Sequence, residues 1–215
     1  MRAVNRRRAT TIGATALVLT AAVAAILLAD APATAPATPP TPNTTSNEQH
    51  RPSEPPPPPV TDPLDIHHFL TSPCDALAHE YAVTLLGEHV ISRPDPAVAD
   101  GPVCLLASTD PGIPSGVIRL EVRFPVRGDA PTVAELYAQQ HRYALFEPLP
   151  PILGYPVAAY GQRDDRATGQ CRVTVAVSDT ARFDVDLVMH DSARTPPCLR
   201  ARDAAAAVIS TLHTR

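Results

Sequence analysis

Residues 171–188 have the sequence CRVTVAVSDTARFDVDLV, in which apolar and polar side chains alternate along two runs. The runs are Cys171–Val177 and Phe183–Val188, and Ser178–Ala181 between them favours a short hairpin loop. Alternation places every second side chain on the same face of a strand. The stretch therefore predicts two antiparallel strands, each with one apolar face.

Three further strands are predicted on the N-terminal side of this hairpin. Ile118–Phe124 alternates, and Ile118, Leu120, Val122 and Phe124 share one face. The apolar run Val103–Ala107 fits a buried strand, and Pro156–Tyr160 fits a short one. Three prolines and one glycine at positions 94–102 mark a turn-rich passage before Val103.

Helical spacing predicts three helices. The first begins with Ser72 as its cap and ends at about Gly87, and the second spans about Val133–Phe146 and is stopped by the prolines after Glu147. The third, Cys198–Leu212, is rich in alanine, and its inward face is predicted to carry Leu199, Ala206, Ile209 and Leu212. The pattern predicts an α+β fold in which an antiparallel sheet of about four or five strands packs with about three helices.

The four cysteines, Cys74, Cys104, Cys171 and Cys198, all lie in this folded region. An even number in an exported domain indicates disulfides, and three pairings are possible. Cys74 and Cys198 open helices whereas Cys104 and Cys171 lie on strands, so pairing in sequence order links each flanking helix to a strand. Each bridge would then contribute about 3–4 kcal/mol. A zinc site is disfavoured because the sequence has no C-x-x-C pair.

The N-terminus predicts export. Residues 1–10 form a basic tail, and residues 11–29 are an uncharged apolar run that, as a helix of about 28 Å, could just span a bilayer as an anchor or serve as a signal. Two small-residue cleavage motifs follow, but each precedes a proline, which favours an uncleaved single-pass anchor with the C-terminal domain outside. Secretion after cleavage is the alternative.

Residues 30–63 contain twelve prolines and predict a disordered, semi-rigid stalk of at most about 100 Å, which would hold residues 64–215 away from the membrane. A spacer role is favoured over a ligand role for this segment. The formal net charge is −4 and every basic side chain is arginine. The folded region has no basic footprint for phosphates, which argues against nucleic acid as a partner.

The combination of an export signal, a Thr/Pro-rich stalk, Pro73-Cys74-Asp75-Ala76-Leu77, a second cysteine on a strand, Gly154-Tyr155-Pro156, the Cys171 strand and Cys198 opening a helix resembles the DUF3558 family. The resemblance covers about residues 65–214 and implies an actinobacterial envelope protein of unknown function, often a lipoprotein. It supports the sequential disulfide pairing and supplies no catalytic residues. The chain lacks the family's lipid-modified cysteine, which favours a helix anchor over a lipid, and also the tryptophan that often follows the second cysteine.

No residue pattern predicts catalysis, a cofactor or a metal. The histidines at 67, 68, 79 and 89 lack ligand spacing and fit surface or capping roles. The carboxylate pairs Asp164/Asp165 and Asp184/Asp186 are interpreted as solvated charges. Ser115 lacks a nucleophile elbow, and no glycine-rich phosphate loop is present.

We therefore expect a non-catalytic binding or sensory module, tethered to the cell membrane, whose ligand is an unidentified envelope molecule or protein. The alternative is an extracytoplasmic enzyme, or an enzyme accessory, that acts on envelope substrates. A pocket in which polar groups with shifted pKa values converge would favour that alternative.

Overall fold

The computed structural model describes residues 53–95, 100–109, 117–126, 128, 130–190 and 195–214. Its helices are His67–Thr71 (α1), His79–Leu86 (α2), Val133–Ala138 (α3) and Pro197–His213 (α4), with 3₁₀ turns at Pro73–Ala76, Gln140–Arg142 and Arg166–Thr168. The strands are Val90–Asp95 (β1), Val103–Ser108 (β2), Val117–Arg123 (β3), Leu145–Ile152 (β4), Tyr155–Gly161 (β5), Gln170–Ala176 (β6) and Arg182–Met189 (β7).

The strands form one antiparallel sheet in the order β1-β2-β3-β7-β6-β5-β4. The hairpin of β6 and β7 lies near its centre, and Cys171 pairs with Leu187 while Val175 pairs with Phe183. The α+β class is confirmed. The sheet has seven strands in the described residues, more than the four or five expected, because β1 and the proline-rich β4 were not recognised as strands.

One face of the sheet is apolar and carries the main core. Val173, Val175, Phe183, Val185 and Leu187 of the hairpin are all buried on it. Helix α4 packs against β6 and β7, whereas α2 and the turn Pro73–Ala76 pack against β3 and its neighbours. Three phenylalanine rings run through this core, because Phe124 lies 5.6 Å from Phe69 and 6.0 Å from Phe183.

Two disulfides join helical segments to strands on this apolar side. Cys74 pairs with Cys104 and Cys171 pairs with Cys198, in the sequential pairing expected from the sequence, across separations of 30 and 27 residues. Loops of that length give each bridge about 3–4 kcal/mol in the chain-entropy account. The bridges therefore fix both the N-terminal turn and α4 onto the sheet.

The expected first helix is divided. Pro73–Ala76 is a 3₁₀ turn, Leu77 is extended with φ −121° and ψ 117°, and only His79–Leu86 is α-helical. The extended backbone buries the Leu77 side chain in the core, where it is 5% exposed. A single helix from Ser72 to Gly87 was therefore wrong.

The expected second helix is shorter than Val133–Phe146. It ends at Ala138, and Phe146 belongs instead to β4, where it pairs with Tyr160. Prolines cannot donate to a strand ladder, so the prolines of β4 are compatible with its position at the sheet edge. Arg202 of α4 covers that edge by donating to the carbonyls of Pro150 and Pro151 at 2.8 and 3.1 Å.

The inward faces of α4 and β3 differ in part from those expected. Ile209 and Leu212 are buried as predicted, whereas Leu199 is 44% exposed and Ala206 is only partly buried. The bond between Cys198 and Cys171 sets the rotation of α4, which turns other residues to the sheet: Cys198, Ala201, Ala204, Ala205 and Val208. On β3 an irregularity between Val117 and Arg119 buries Val117 in place of Ile118.

The membrane segment expected at residues 11–29 lies outside the described residues, as does most of the stalk. Among the helices of the described ranges, none is long and apolar enough to cross a bilayer. The last residues of the expected stalk, Ser53–Pro63, are described and contact the domain. Tyr155, for example, donates its hydroxyl to the Asp62 carbonyl at 2.8 Å.

Gly169 and Gly154 provide a matched test of backbone strain. Both have positive φ, at 81° and 93°, but a Cβ on Gly169 would lie 2.2 Å from the Met189 carbonyl oxygen, whereas nothing lies within 4 Å of a Cβ on Gly154. Gly154→Ala should lower the free energy of unfolding by about 1 kcal/mol. Gly169→Ala should lower it by at least about 2 kcal/mol more, because the β6 start must shift. Urea unfolding measures both, and equal losses would contradict the assigned backbone approach.

Candidate functional site

The second face of the sheet carries charge instead of a helix layer over its centre. Arg119, Glu121 and Arg123 of β3 share this face with polar residues of the central hairpin, namely Arg172, Thr174, Arg182, Asp184 and Asp186. Helix α3 covers only one end, where Leu136 and Tyr137 pack with Phe146, Ala158 and Tyr160 in a small second core. The charged centre of this face is the candidate site.

A buried ion pair forms the deepest part of this face. Arg182 is 7% exposed and Asp184 2% exposed, and a guanidinium nitrogen of Arg182 donates to the Asp184 carboxylate. The same nitrogen donates to the Tyr160 hydroxyl and to Thr174 Oγ1, each at 3.1 Å, and Nε donates to the Pro131 carbonyl at 2.8 Å. Tyr160 in turn donates to Asp184 Oδ2 at 2.9 Å. Every member of this network therefore has partners, as buried polar groups require.

The tyrosine of this network is held neutral. Burial raises the pKa of the Tyr160 hydroxyl far above its ordinary value, and the neighbouring Asp184 carboxylate adds to the shift. The guanidinium carbons of Arg172 and Arg182 each lie 5.7 Å from the centre of its ring. Tyr160 thus acts as a neutral hydrogen-bonding platform between two cations.

A second row of charges crosses three strands beside the buried pair. Arg172 Nε donates to Asp186 Oδ2 at 2.7 Å, Asp186 lies opposite Glu121 in the register, and Glu121 accepts from Arg123 at 3.2 Å. Arg119 Nε is 3.8 Å from the Glu121 carboxylate. Burial raises the pKa of Asp186, and Asp184 and Glu121 add to the shift, although Arg172 opposes it.

Two adjoining depressions lie over these rows, and we call them together the sheet groove. They share Tyr160, Gly161, Gln162 and Arg172. The first has a volume of about 350 Å³ and reaches Arg119, Glu121, Asp165 and Asp186; the second has a volume of about 240 Å³ and reaches Arg123, Pro131 and Leu136.

Some donors along the groove are unused within the described part of the chain. Arg172 makes its hydrogen bond through Nε alone, and its side chain is 41% exposed. The Nε of Arg123 is buried and has no acceptor in the described residues. The ion pair that Arg119 makes with the described residues is a 3.8 Å contact with Glu121, and its side chain is 51% exposed. The groove therefore offers hydrogen-bond donors to a ligand that brings its own acceptors.

The sequence pattern predicted two pairs of solvated carboxylates, and the structure places the two pairs in different environments. Asp164 and Asp165 lie in the turn before β6, beside Arg166 and Arg163, as expected for surface charges. For Asp184 and Asp186 that interpretation was wrong, because Asp184 is buried in the network and Asp186 is 23% exposed in the side chain. The alternation of residues 182–188 indicated a common face but not that the side chains of Arg182 and Tyr160 would enclose Asp184.

The other residues weighed from the sequence lie away from the groove. The histidines at 67, 68, 79 and 89 are exposed, and His68 Nε2 is 2.8 Å from Asp75 Oδ2. Among the described residues, no group of three or more histidine, cysteine or acidic side chains could hold a metal ion. Ser115 lies outside the described residues. Sequence analysis missed Arg172, Arg182, Arg123 and Tyr160, whose common signal is the polar half of the alternating pattern.

Comparison with known proteins gives one match. A family model described as "Protein of unknown function (DUF3558)" matches residues 29–211, which is most of the chain. Neither the curated proteins nor the solved structures include one that matches the sequence or the fold.

Substitutions of Arg182 and Arg166 compare the stability contribution of a buried ion pair with that of an exposed one. Arg182→Gln should lower the free energy of unfolding by about 3–5 kcal/mol, because it leaves the Asp184 carboxylate buried without its cation. Arg166, whose side chain is 39% exposed between Asp164 and Glu147, is the control. Arg166→Gln should cost at most about 1 kcal/mol. Similar losses in urea unfolding would show that the Arg182 pair is hydrated and not buried.

Asp186 should make stability fall as pH rises. The pKa of Asp186 is higher in the folded than in the unfolded state, so the folded state binds the proton more readily. The contribution of protonated Asp186 to the free energy of unfolding is therefore fully present below the pKa of the unfolded state, and it is lost as pH rises through the pKa of the folded state. The stability of the wild type relative to Asp186→Asn should therefore decrease across that window, as measured by urea unfolding at a series of pH values.

Glu135 is the control of opposite sign. Hydrogen bonds from the backbone and side chain of Thr132 lower its pKa, so its contribution is present above the unfolded pKa and is lost as pH falls through the folded one. Stability relative to Glu135→Gln should therefore increase with pH. Parallel curves for the two variants would contradict the assignment at Asp186.

Proposed function

Since the chain belongs to the DUF3558 family, whose members are described as proteins of unknown function, we propose its role from the sheet groove. The protein is a non-catalytic binding module that holds a ligand over the charged face of its sheet. The single observation that carries this proposal is the set of unused arginine donors beside carboxylates that are already paired. A cleft with free donors on a rigid floor is built to bind.

Partly exposed arginine donors in the groove favour an anionic group on the ligand. The described lining holds five arginines and five carboxylates, namely Arg119, Arg123, Arg163, Arg172 and Arg182 with Asp100, Glu121, Asp165, Asp184 and Asp186. The formal charges therefore balance, and Arg123 contacts both Glu121 and Asp100, at 3.2 and 4.0 Å. What favours a carboxylate or a phosphate is the set of guanidinium donors that the described carboxylates do not use, because guanidinium groups bind both anions through paired hydrogen bonds.

The location that we propose is extracytoplasmic. The two disulfides suggest an oxidising compartment, since such bonds rarely persist in a reducing cytoplasm. The basic tail and the apolar run at residues 11–29 support a membrane tether with the domain outside, and secretion after cleavage remains the rival. On either account, the groove would meet molecules of the cell envelope.

A second candidate is hydrolysis of an envelope glycan. Glu121 and Asp186 are paired in the register of neighbouring strands and the pKa of Asp186 is raised, and glycoside hydrolysis uses a pair of carboxyl groups in which one has a raised pKa. Against it, each carboxylate already accepts a hydrogen bond from an arginine, so both are engaged within the protein. We therefore place binding first.

Anion binding tests the proposal. Inorganic phosphate and, in parallel, acetate are titrated into the full chain in detergent micelles, and the Arg Nε–H resonances are followed by NMR. Saturable shifts should be centred on Arg172 and Arg123, and Arg172→Gln should weaken binding at least about tenfold. Arg166→Gln, outside the groove, is the matched control and should leave the affinity unchanged. The stronger of the two anions identifies the ligand group.

Three results would count against the proposal. Shifts that do not saturate, or that are equal in Arg172→Gln and Arg166→Gln, exclude a built anion site. Release of reducing ends from isolated envelope polysaccharide by the wild type but not by Glu121→Gln would support the hydrolase instead.

A further inference from the structure

The segment Ser53–Pro63, which we call the proline strap, is held against the domain near both ends. The side-chain amide of Gln140 accepts from Glu54 N at 2.8 Å and donates to Glu54 O at 2.9 Å. At the other end Val60 N donates to Asp179 Oδ1 at 3.2 Å, and Leu64 N donates to the Val177 carbonyl at 2.9 Å just beyond the strap. The run Pro55–Pro59 lies between these anchors.

Two residues of the strap are turned towards the domain. Pro57 and Val60 are half-buried, whereas Pro55, Pro56, Pro58 and Pro59 are exposed. Consecutive prolines restrict the backbone to polyproline II, which has three residues per turn. Pro57 and Val60 are three residues apart, so they lie on one edge of such a helix, and Val60 packs there against both core clusters.

The two edges that face outward carry proline at every position of the run. One edge holds Pro55 and Pro58, and the other holds Pro56 and Pro59, so each has two prolines separated by two residues. This is the PxxP spacing that aromatic-lined grooves of peptide-binding domains take up. Prolines have no backbone N–H, so docking leaves no donor unpaired, and their carbonyls remain available to a partner.

We propose that the proline strap is a preordered ligand for a partner protein with an aromatic-lined groove that binds polyproline II. Neither exposed edge carries a charge between Glu54 and Val60, which does not suit a nucleic acid or an anionic lipid surface. Anchors at both ends restrict the strap before the partner arrives, which lowers the entropy lost on binding. The inference is independent of the sheet groove, because the residues that anchor the strap and its C-terminal neighbour, Gln140, Asp179 and Val177, are not among those that line the groove.

The test compares the full chain, in detergent micelles, with a free peptide of residues 49–64, using a purified SH3 domain of PxxP specificity as the probe. The chain should bind the probe at least about fivefold more tightly than the peptide, because its strap is already fixed. Gln140→Ala, which releases the Glu54 end and keeps the Asp179 anchor, should lower the affinity of the chain towards that of the peptide. Calorimetry measures all three.

Two proline variants then test whether the probe binds an exposed edge of the strap. Pro55→Ala with Pro58→Ala should weaken binding at least about tenfold, whereas Pro57→Ala, on the edge that faces the domain, should change it by less than about twofold. The proposal is overturned if the chain binds no more tightly than the peptide, if Gln140→Ala leaves the affinity unchanged, if Pro57→Ala weakens it as much as the double variant, or if neither chain nor peptide binds the probe. Unfolding curves of each variant confirm that the domain is intact.

Discussion

The buried contact between Arg182 and Asp184 lies on the central hairpin, and the organisation of the charged face depends on it. Opposite faces of the same two strands hold the valines under α4 and the charges under the groove. Moving an ion pair from water into a protein costs several kcal/mol per ion unless every donor and acceptor is satisfied. Tyr160, Thr174 and the Pro131 carbonyl supply those partners, so the pair can be buried only where β5, β6, β7 and the segment before α3 meet.

The hydrogen-bonded network around Arg182 and Asp184 also orders Arg172 beside it. Asp184 and Tyr160 cannot move without breaking hydrogen bonds in a region of low dielectric, so they form a fixed floor. Arg172 lies over the Tyr160 ring, and its Nε is hydrogen-bonded to Asp186. These two contacts fix the direction in which its terminal guanidinium nitrogens point. Donors that are ordered before a ligand arrives lose little entropy on binding. The same rigidity fits recognition better than catalysis, in which a carboxylate must exchange its proton.

Alternation of apolar and polar residues reveals a strand with one buried face, and this decides which parts of the fold could be predicted. Residues 171–188 and Ile118–Phe124 were assigned to strands because one face of each is buried and the other is not, and the disulfides followed from cysteines at the ends of elements. Strand β4 was missed because three prolines normally end a strand, and only its edge position permits them. The buried network around Asp184 depends on Pro131 and Tyr160, which are distant in sequence, so no local pattern could reveal it.

The attachments of the domain are divided between its two faces. Both disulfides and α4 act on the apolar face, where they close the core and leave the charged centre uncovered. The proline strap reaches the domain at Gln140, directly after α3, on the side that carries the second core. Its anchors are hydrogen bonds to backbone atoms of the strap, so they do not depend on the side chains of the strap. The position of the strap on the domain is thus set by Gln140 and Asp179, independently of the residues that line the groove.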